Sequence, residues 1–76
     1  MKIKKLDELK VNEKGTIFDF TLEKRLLNHL FHLGFLPGTN IQLICPTPLK
    51  NPLVFYLRNY RIALSKEIAE NILVII

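Results

Sequence analysis

The chain has 76 residues, of which 49% are hydrophobic and 24% are charged, and its formal net charge is +4 at pH 7. This length predicts a single domain, residues 1–76, and the composition excludes a disordered chain. The single cysteine, Cys45, excludes an intrachain disulfide, and no window holds the ~20 apolar residues of a membrane span. We therefore expect a cytosolic protein whose positive charge favours acidic partners.

The first third of the chain predicts a strand followed by the main helix. Residues 6–9 are a short lead-in bracketed by leucines, residues 12–15 form a turn, and a strand begins at Thr16. Six apolar side chains between residues 22 and 33 fall on one half of a helical wheel, which predicts an amphipathic helix over that range.

The junction at residues 30–39 predicts an abrupt change from helix to strand. Gly34 follows the last apolar helical position, where a left-handed residue ends a helix without steric cost. Pro37 and Gly38 suit the two central positions of a type II turn. The strand that follows alternates in polarity and ends at Cys45 and Pro46.

The second half of the chain predicts a proline-rich loop, a hairpin, a short helical turn and a last strand. The hairpin strands, residues 53–57 and 60–64, join through Arg58 and Asn59, with Asn59 in the left-handed region. Ser65 caps a helical turn over residues 66–70, and residues 71–76 form the last strand. The fold class is therefore mainly β: a small, closed or partly closed barrel of about five strands with one main α-helix and a short second helical turn.

Four segments carry a family resemblance. They are Leu-Gly-Phe-Leu-Pro-Gly-Thr at residues 33–39, Pro-Leu-Lys-Asn-Pro at residues 48–52, Tyr-Arg-Ile-Ala-Leu at residues 60–64, and Ala69, Ile72 and Val74 near the end. In this order they resemble the FeoA family of bacterial ferrous iron uptake, although Lys50 and Asn59 stand where the family usually has glycine. The resemblance implies an SH3-like barrel with a helix packed against it. It also implies an accessory or regulatory role through contact with the membrane ferrous iron transporter FeoB.

The sequence offers no arrangement typical of an enzyme, because no nucleophile has a base beside it and the carboxylates are not paired. We therefore predict no catalytic residues and no cofactor. His29 and His32 are weak candidates for metal ligands, since a spacing of three places them on one helix face. Arg25, four residues before His29, opposes a divalent cation there. An exposed polar face and a partner-contacting face are the stronger interpretations.

The predicted partner is the cytoplasmic portion of FeoB, and contact with it would recruit this cytoplasmic protein to the inner face of the cell membrane. We choose candidate contact residues by their charge and expected exposure. The partner-binding candidates are Arg25, His29, His32, Lys50 and Arg58. The last strand is apolar on both faces, but only one face of an edge strand packs on the core, so the other apolar face needs a separate cover. Either residues 1–9 cover that face, or it docks a partner or a second copy of the chain.

Nucleic acid is a weaker interpretation of the second hairpin. Tyr56, Arg58, Tyr60 and Arg61 mix aromatic and basic side chains, as single-strand binding surfaces do. Strand alternation, however, predicts that at least one of the two tyrosine rings is part of the core. The runner-up function is a metal-sensing or nucleic-acid-binding SH3-like adaptor, because the resemblance extends to the C-terminal domain of iron-dependent repressors.

Overall fold

The structure is a computed structural model that describes residues 2–46 and 52–76. Its strands are β1 (Ile3–Lys5), β2 (Lys14–Phe20), β3 (Asn40–Pro46), β4 (Leu53–Leu57), β5 (Tyr60–Leu64) and β6 (Ile72–Ile75). Its helices are α1 (Lys24–His32) and the short α2 (Lys66–Ala69), and Leu6–Glu8 is a 3-10 turn. The strands form one antiparallel sheet in the order β1-β6-β2-β3-β4-β5. The predicted fold class is confirmed, with one strand more than expected.

The additional strand is β1, which the sequence pattern did not indicate. It pairs with β6, with Ile3 opposite Ile75 and Lys5 opposite Leu73. A three-residue strand with two lysines carries little propensity of its own, so its conformation depends on the partner strand. The N-terminal segment thus covers the edge of β6. Ile3 is itself 61% exposed beside the half-buried Ile75, so this part of the second face remains partly exposed.

The sheet bends around one core. The pairing register shifts between Ile17 and Asp19, where β2 meets β6, and between Leu43 and Cys45, where β3 meets β4. Such irregularities bend a strand and increase its twist. β2 also begins two residues before the predicted Thr16, since Lys14 already pairs with β3.

Side chains from five strands, both helices and the lead-in converge in a single hydrophobic cluster, as in a partly closed barrel. The fully buried members are Leu6, Ile17, Leu30, Phe35, Ile41, Phe55, Leu57, Ala69, Ile72 and Val74. α1 contributes Leu30, and the rings of Phe20 and Phe31 meet edge to face with centroids 5.5 Å apart. These contacts hold the helix against β2, so the opposite face of α1 remains available to solvent.

The junction after α1 has the predicted geometry. Gly34 has φ +99°, and the N–H groups of Gly34 and Phe35 donate to the carbonyls of Phe31 and Leu30 at 3.1 and 3.0 Å. This pair of hydrogen bonds is a Schellman motif. Gly38 has φ +91°, and the turn from residue 36 to residue 39 is closed by a 3.1 Å hydrogen bond. α1 begins at Lys24, two residues later than predicted.

The β4–β5 hairpin and the cap of α2 also follow the prediction. Asn59 has φ +69°, but Arg58 is left-handed as well, at φ +48°. Positive φ at both central residues is the geometry of a type I′ turn, in which arginine is uncommon. Ser65 caps α2, since its hydroxyl oxygen accepts the N–H of Ile68 at 3.3 Å.

Candidate functional site

The polar face of α1 holds three of the predicted partner-binding residues. Arg25, His29 and His32 are all exposed, and Arg25 lies one turn before His29 on the same stripe. Nδ1 of His32 lies 2.7 Å from the carbonyl oxygen of Asn28. Because a carbonyl can only accept, Nδ1 carries the proton and Nε2 faces away from this bond. The helix therefore fixes the orientation of the His32 ring.

The two histidines gain no third metal ligand from the described part of the chain. Within residues 2–46 and 52–76, no group of three histidine, cysteine, aspartate or glutamate side chains could hold a metal ion. A metal at His29 and His32 would also have Arg25 on the same stripe of the helix. A structural zinc site usually has four protein ligands, and this face supplies two.

The β4–β5 hairpin brings Arg58 to the C-terminal end of α1. A Cβ placed on Gly34 would lie 3.1 Å from the hydroxyl oxygen of Tyr60 and 3.3 Å from Cδ of Arg58. The hairpin thus packs on the glycine that ends the helix, two residues after His32. We name Arg25, His29, His32 and Arg58 the helix-end surface. Lys50, the remaining candidate, lies outside the described residues.

Both tyrosines of the hairpin are exposed, so the prediction that at least one ring belongs to the core was wrong. The exposed fractions are 38% for Tyr56 and 36% for Tyr60. Tyr60, the first residue of β5, lies opposite the buried Leu57 on β4, but its side chain extends past the core and places its hydroxyl over Gly34. Tyr56 faces outward, and its hydroxyl donates to Oδ1 of Asn59 at 3.2 Å. Alternation along a strand does not show where the core ends.

A groove with a volume of about 510 Å³ crosses the outer face of the sheet, and the sequence did not predict it. One row of outward side chains runs across three strands, with Lys14 opposite Gln42 and Gln42 opposite Tyr56. A second row has Thr16 between Asn40 on β3 and Ile75 on β6. Together with Arg58, these two rows define what we call the outer groove: Lys14, Thr16, Asn40, Gln42, Tyr56, Arg58 and Ile75.

The outer groove is cationic. Lys14 and Arg58 line it, as does Ile76, the last residue of the sequence, and no aspartate or glutamate side chain does so among the described residues. Glu13, next to Lys14, is held elsewhere: one carboxylate oxygen accepts the backbone N–H of Lys10 at 2.9 Å and the Lys4 ammonium at 3.3 Å. The Lys10 N–H is the main cause that lowers the pKa of Glu13, and Lys4 adds to it. The Glu13 carboxylate therefore stays charged, but it is paired with Lys4 and not with a cation of the groove.

A second cavity, of about 470 Å³, lies beside the 3-10 turn and is lined by Asp7, Lys10 and Lys66 together with apolar side chains. Oδ1 of Asp7 is buried and has no hydrogen-bond partner among the described residues. Burial, followed by the charge of Glu8, raises the pKa of Asp7, against an opposing effect of Lys66. Asp7 is therefore an electrostatic cost to the fold at neutral pH.

Comparison with known proteins gives relatives of two kinds. The FeoA-like protein from Clostridium acetobutylicum, solved by NMR, is 27% identical over 97% of this chain and 86% of its own, with a TM-score of 0.86. FeoA from Stenotrophomonas maltophilia, solved with zinc and described as a procaryotic SH3 domain protein, is 23% identical over 91% of this chain and 86% of its own, with a TM-score of 0.74. A manganese-dependent transcriptional repressor shares the fold over 96% of this chain and 41% of its own, at 12% identity and a TM-score of 0.86. A comparison with curated protein sequences gives no match.

The family model of the FeoA domain matches residues 4–76. This match includes all four segments that carried the resemblance, and the six-stranded antiparallel sheet agrees with the SH3 fold described for the S. maltophilia relative. None of the helices in the described part of the chain has the length and apolar character of a membrane span. The chain belongs to the FeoA family, the small accessory proteins of ferrous iron transport.

Proposed function

We propose that this protein is a cytoplasmic, non-catalytic accessory protein of ferrous iron uptake that binds the cytoplasmic portion of a FeoB-like transporter. The observation that carries the proposal is the FeoA-domain match over residues 4–76. A small domain of this kind influences a transporter by binding one of its conformations more tightly than another. The protein therefore needs a rigid contact surface rather than a reactive group.

The helix-end surface is the proposed contact. Its residues come from two elements that pack on each other at Gly34, so their relative positions are fixed. The accessible surface area of the chain is 4976 Å², and a standard interface covers about 800 Å² on each partner. An interface of that size would use roughly one sixth of the protein surface. It would extend from the helix-end surface onto neighbouring strands.

A titration of the full chain against the isolated cytoplasmic domain of the transporter, at low salt, tests this proposal. Arg25→Glu should weaken binding by roughly two- to tenfold, as expected for reversing an exposed charge at an interface. Lys24→Glu is the matched control, because it makes the same charge change at the neighbouring exposed position, about 100° around the helix. If the unaltered chain does not bind the domain, the proposed function is wrong.

A second candidate, a metal-sensing or nucleic-acid-binding adaptor, is favoured by two observations. Tyr56 and Tyr60 are both exposed beside Arg58 and Arg61, and the S. maltophilia relative was solved with zinc. Oligonucleotide binding that falls steeply with salt would support the nucleic-acid role. Tight stoichiometric Zn²⁺ or Fe²⁺ binding that is lost in His29→Ala would support metal sensing.

A further inference from the structure

We propose that the outer groove binds an acidic, extended peptide segment of the partner. This inference rests on the proposed function for the identity of that partner, the transporter's cytoplasmic portion. It adds a second contact surface, which shares only Arg58 with the helix-end surface. Three features carry the inference: the charge of the groove, the spacing of its two cations, and the hydrogen-bonding groups between them.

The charge of the groove selects an acidic occupant. Neither Lys14 nor Arg58 forms an ion pair within the described residues, and Glu13 is engaged by Lys4 and Lys10. A second copy of the chain would bring another net charge of +4 against these cations. Self-association through this groove is therefore electrostatically unfavourable, whereas a segment with carboxylates gains from both cations.

The two cations come from opposite sides of β3, which favours an extended segment. Lys14 lies on β2, and Arg58 follows β4, with β3 between them. Neighbouring strands are about 4.8 Å apart, so the backbone positions of the two residues are at least about 10 Å apart. An extended chain, which advances about 3.3 Å per residue, spans that distance and can place a carboxylate at each cation, whereas a single anion occupies one point of the groove.

The groups between the cations suit a peptide. Oδ1 of Asn40 accepts the hydroxyl of Thr16 at 3.0 Å, which leaves the Asn40 amide N–H groups to donate to a peptide carbonyl. Tyr56 offers an aromatic surface, held in place by its bond to Asn59. Ile75 and the neighbouring Ile3 offer an apolar contact. The occupant we infer is an extended segment with two carboxylates and an apolar side chain near Ile75.

The test uses the ¹⁵N-labelled full chain and a capped twelve-residue peptide that contains four glutamates and two leucines. Its counterpart with four lysines, and inorganic phosphate, are the comparison probes. We expect the glutamate peptide to shift the amide signals of Gly15, Thr16, Gln42 and Asn59, with those of α1 unchanged and little effect of the lysine peptide. Shifts confined to α1, or equal shifts with phosphate, would overturn the proposal.

Variants then separate groove binding from general charge attraction. Lys14→Glu and Arg58→Asn should each weaken binding of the glutamate peptide by roughly two- to fivefold. Lys24→Glu, with the same charge change as Lys14→Glu, should leave affinity within about twofold. The dispersion of the amide spectrum checks that each variant is folded. Equal losses in Lys14→Glu and Lys24→Glu would show non-specific attraction and refute the groove.

The same variants distinguish this inference from the proposed function. If Lys14→Glu weakens binding to the transporter domain and Lys24→Glu does not, the groove is part of the interface. If Arg25→Glu weakens it while Lys14→Glu has no effect, the proposed function stands and the groove inference fails. If the unaltered chain binds the glutamate peptide in the groove but not the transporter domain, the groove is a binding site and the proposed partner is wrong.

Discussion

Gly34→Ala tests whether the hairpin packs on the end of α1 as tightly as the structure shows. At φ +99° an alanine costs about 1–2 kcal/mol in backbone conformation. Its Cβ would also lie 3.1 Å from the Tyr60 hydroxyl oxygen and 3.3 Å from Cδ of Arg58, inside the usual contact distance of about 3.5–4.0 Å. Relieving these contacts should add up to about 1 kcal/mol, because the Arg58 side chain can move.

Gly38→Ala is the matched control. Gly38 has a similar φ of +91°, but a Cβ there meets nothing within 4 Å, so this substitution carries the backbone cost alone. We expect a loss of about 1 kcal/mol for Gly38→Ala and about 2 kcal/mol for Gly34→Ala. In urea unfolding followed by circular dichroism, with a slope of about 1 kcal/mol per molar, the midpoints should fall by about 1 M and 2 M.

A double-mutant cycle identifies the source of the difference. In a Tyr60→Phe background the hydroxyl is absent, so the cost of Gly34→Ala should approach that of Gly38→Ala. Tyr60 is partly exposed, and its loss of a hydroxyl should leave the fold intact. The packing argument is refuted if Gly34→Ala costs no more than Gly38→Ala, or if its cost is unchanged by Tyr60→Phe.

Three further substitutions test the core, a cap and a titrating group. Gly15→Ala would place a Cβ 3.1 Å from Cβ of Val74 and should cost about 1–3 kcal/mol in urea unfolding. Ser65→Ala removes the acceptor for the N–H of Ile68 and should cost about 1 kcal/mol in the same assay. Asp7 has a raised pKa in the fold, so the free energy of unfolding should fall as pH rises from the unfolded pKa to the folded one. Asp7→Asn should therefore stabilise the protein at pH 7, and this gain should vanish below about pH 4; a gain independent of pH would contradict the assignment.

Local backbone chemistry explains which elements could be predicted from sequence. The stop at Gly34, the turn at Pro37 and Gly38, and the cap at Ser65 each depend on residues within a few positions of one another. β1 depends instead on a partner strand at the other end of the chain. Its own three residues contain too little pattern to indicate a strand.

The sequence predicted only the part of the candidate site that lies on the single helix α1. Arg25, His29 and His32 share a face because of helical spacing, and the structure exposes all three. The outer groove requires the register of three strands, since Lys14, Gln42 and Tyr56 are neighbours only when the pairing is known. A shift of one residue in either pair would turn these side chains to the other face. The alternating polar positions at residues 14–16 and 40–42 were the signal that each strand had a solvent face.

Arg58 links the two surfaces, and its backbone conformation provides a separate test of its role. A non-glycine residue at φ +48° is strained by about 1 kcal/mol or more, and asparagine tolerates this region better than arginine. Arg58→Asn should therefore stabilise the fold by about 0.5–1 kcal/mol in urea unfolding while it weakens binding of the glutamate peptide. A substitution that raises stability and lowers affinity indicates that the original residue favours binding at the expense of the turn conformation. If Arg58→Asn lowers stability and leaves affinity unchanged, Arg58 stabilises the packing on Gly34 and does not bind the peptide, which would leave Lys14 as the one binding cation of the groove.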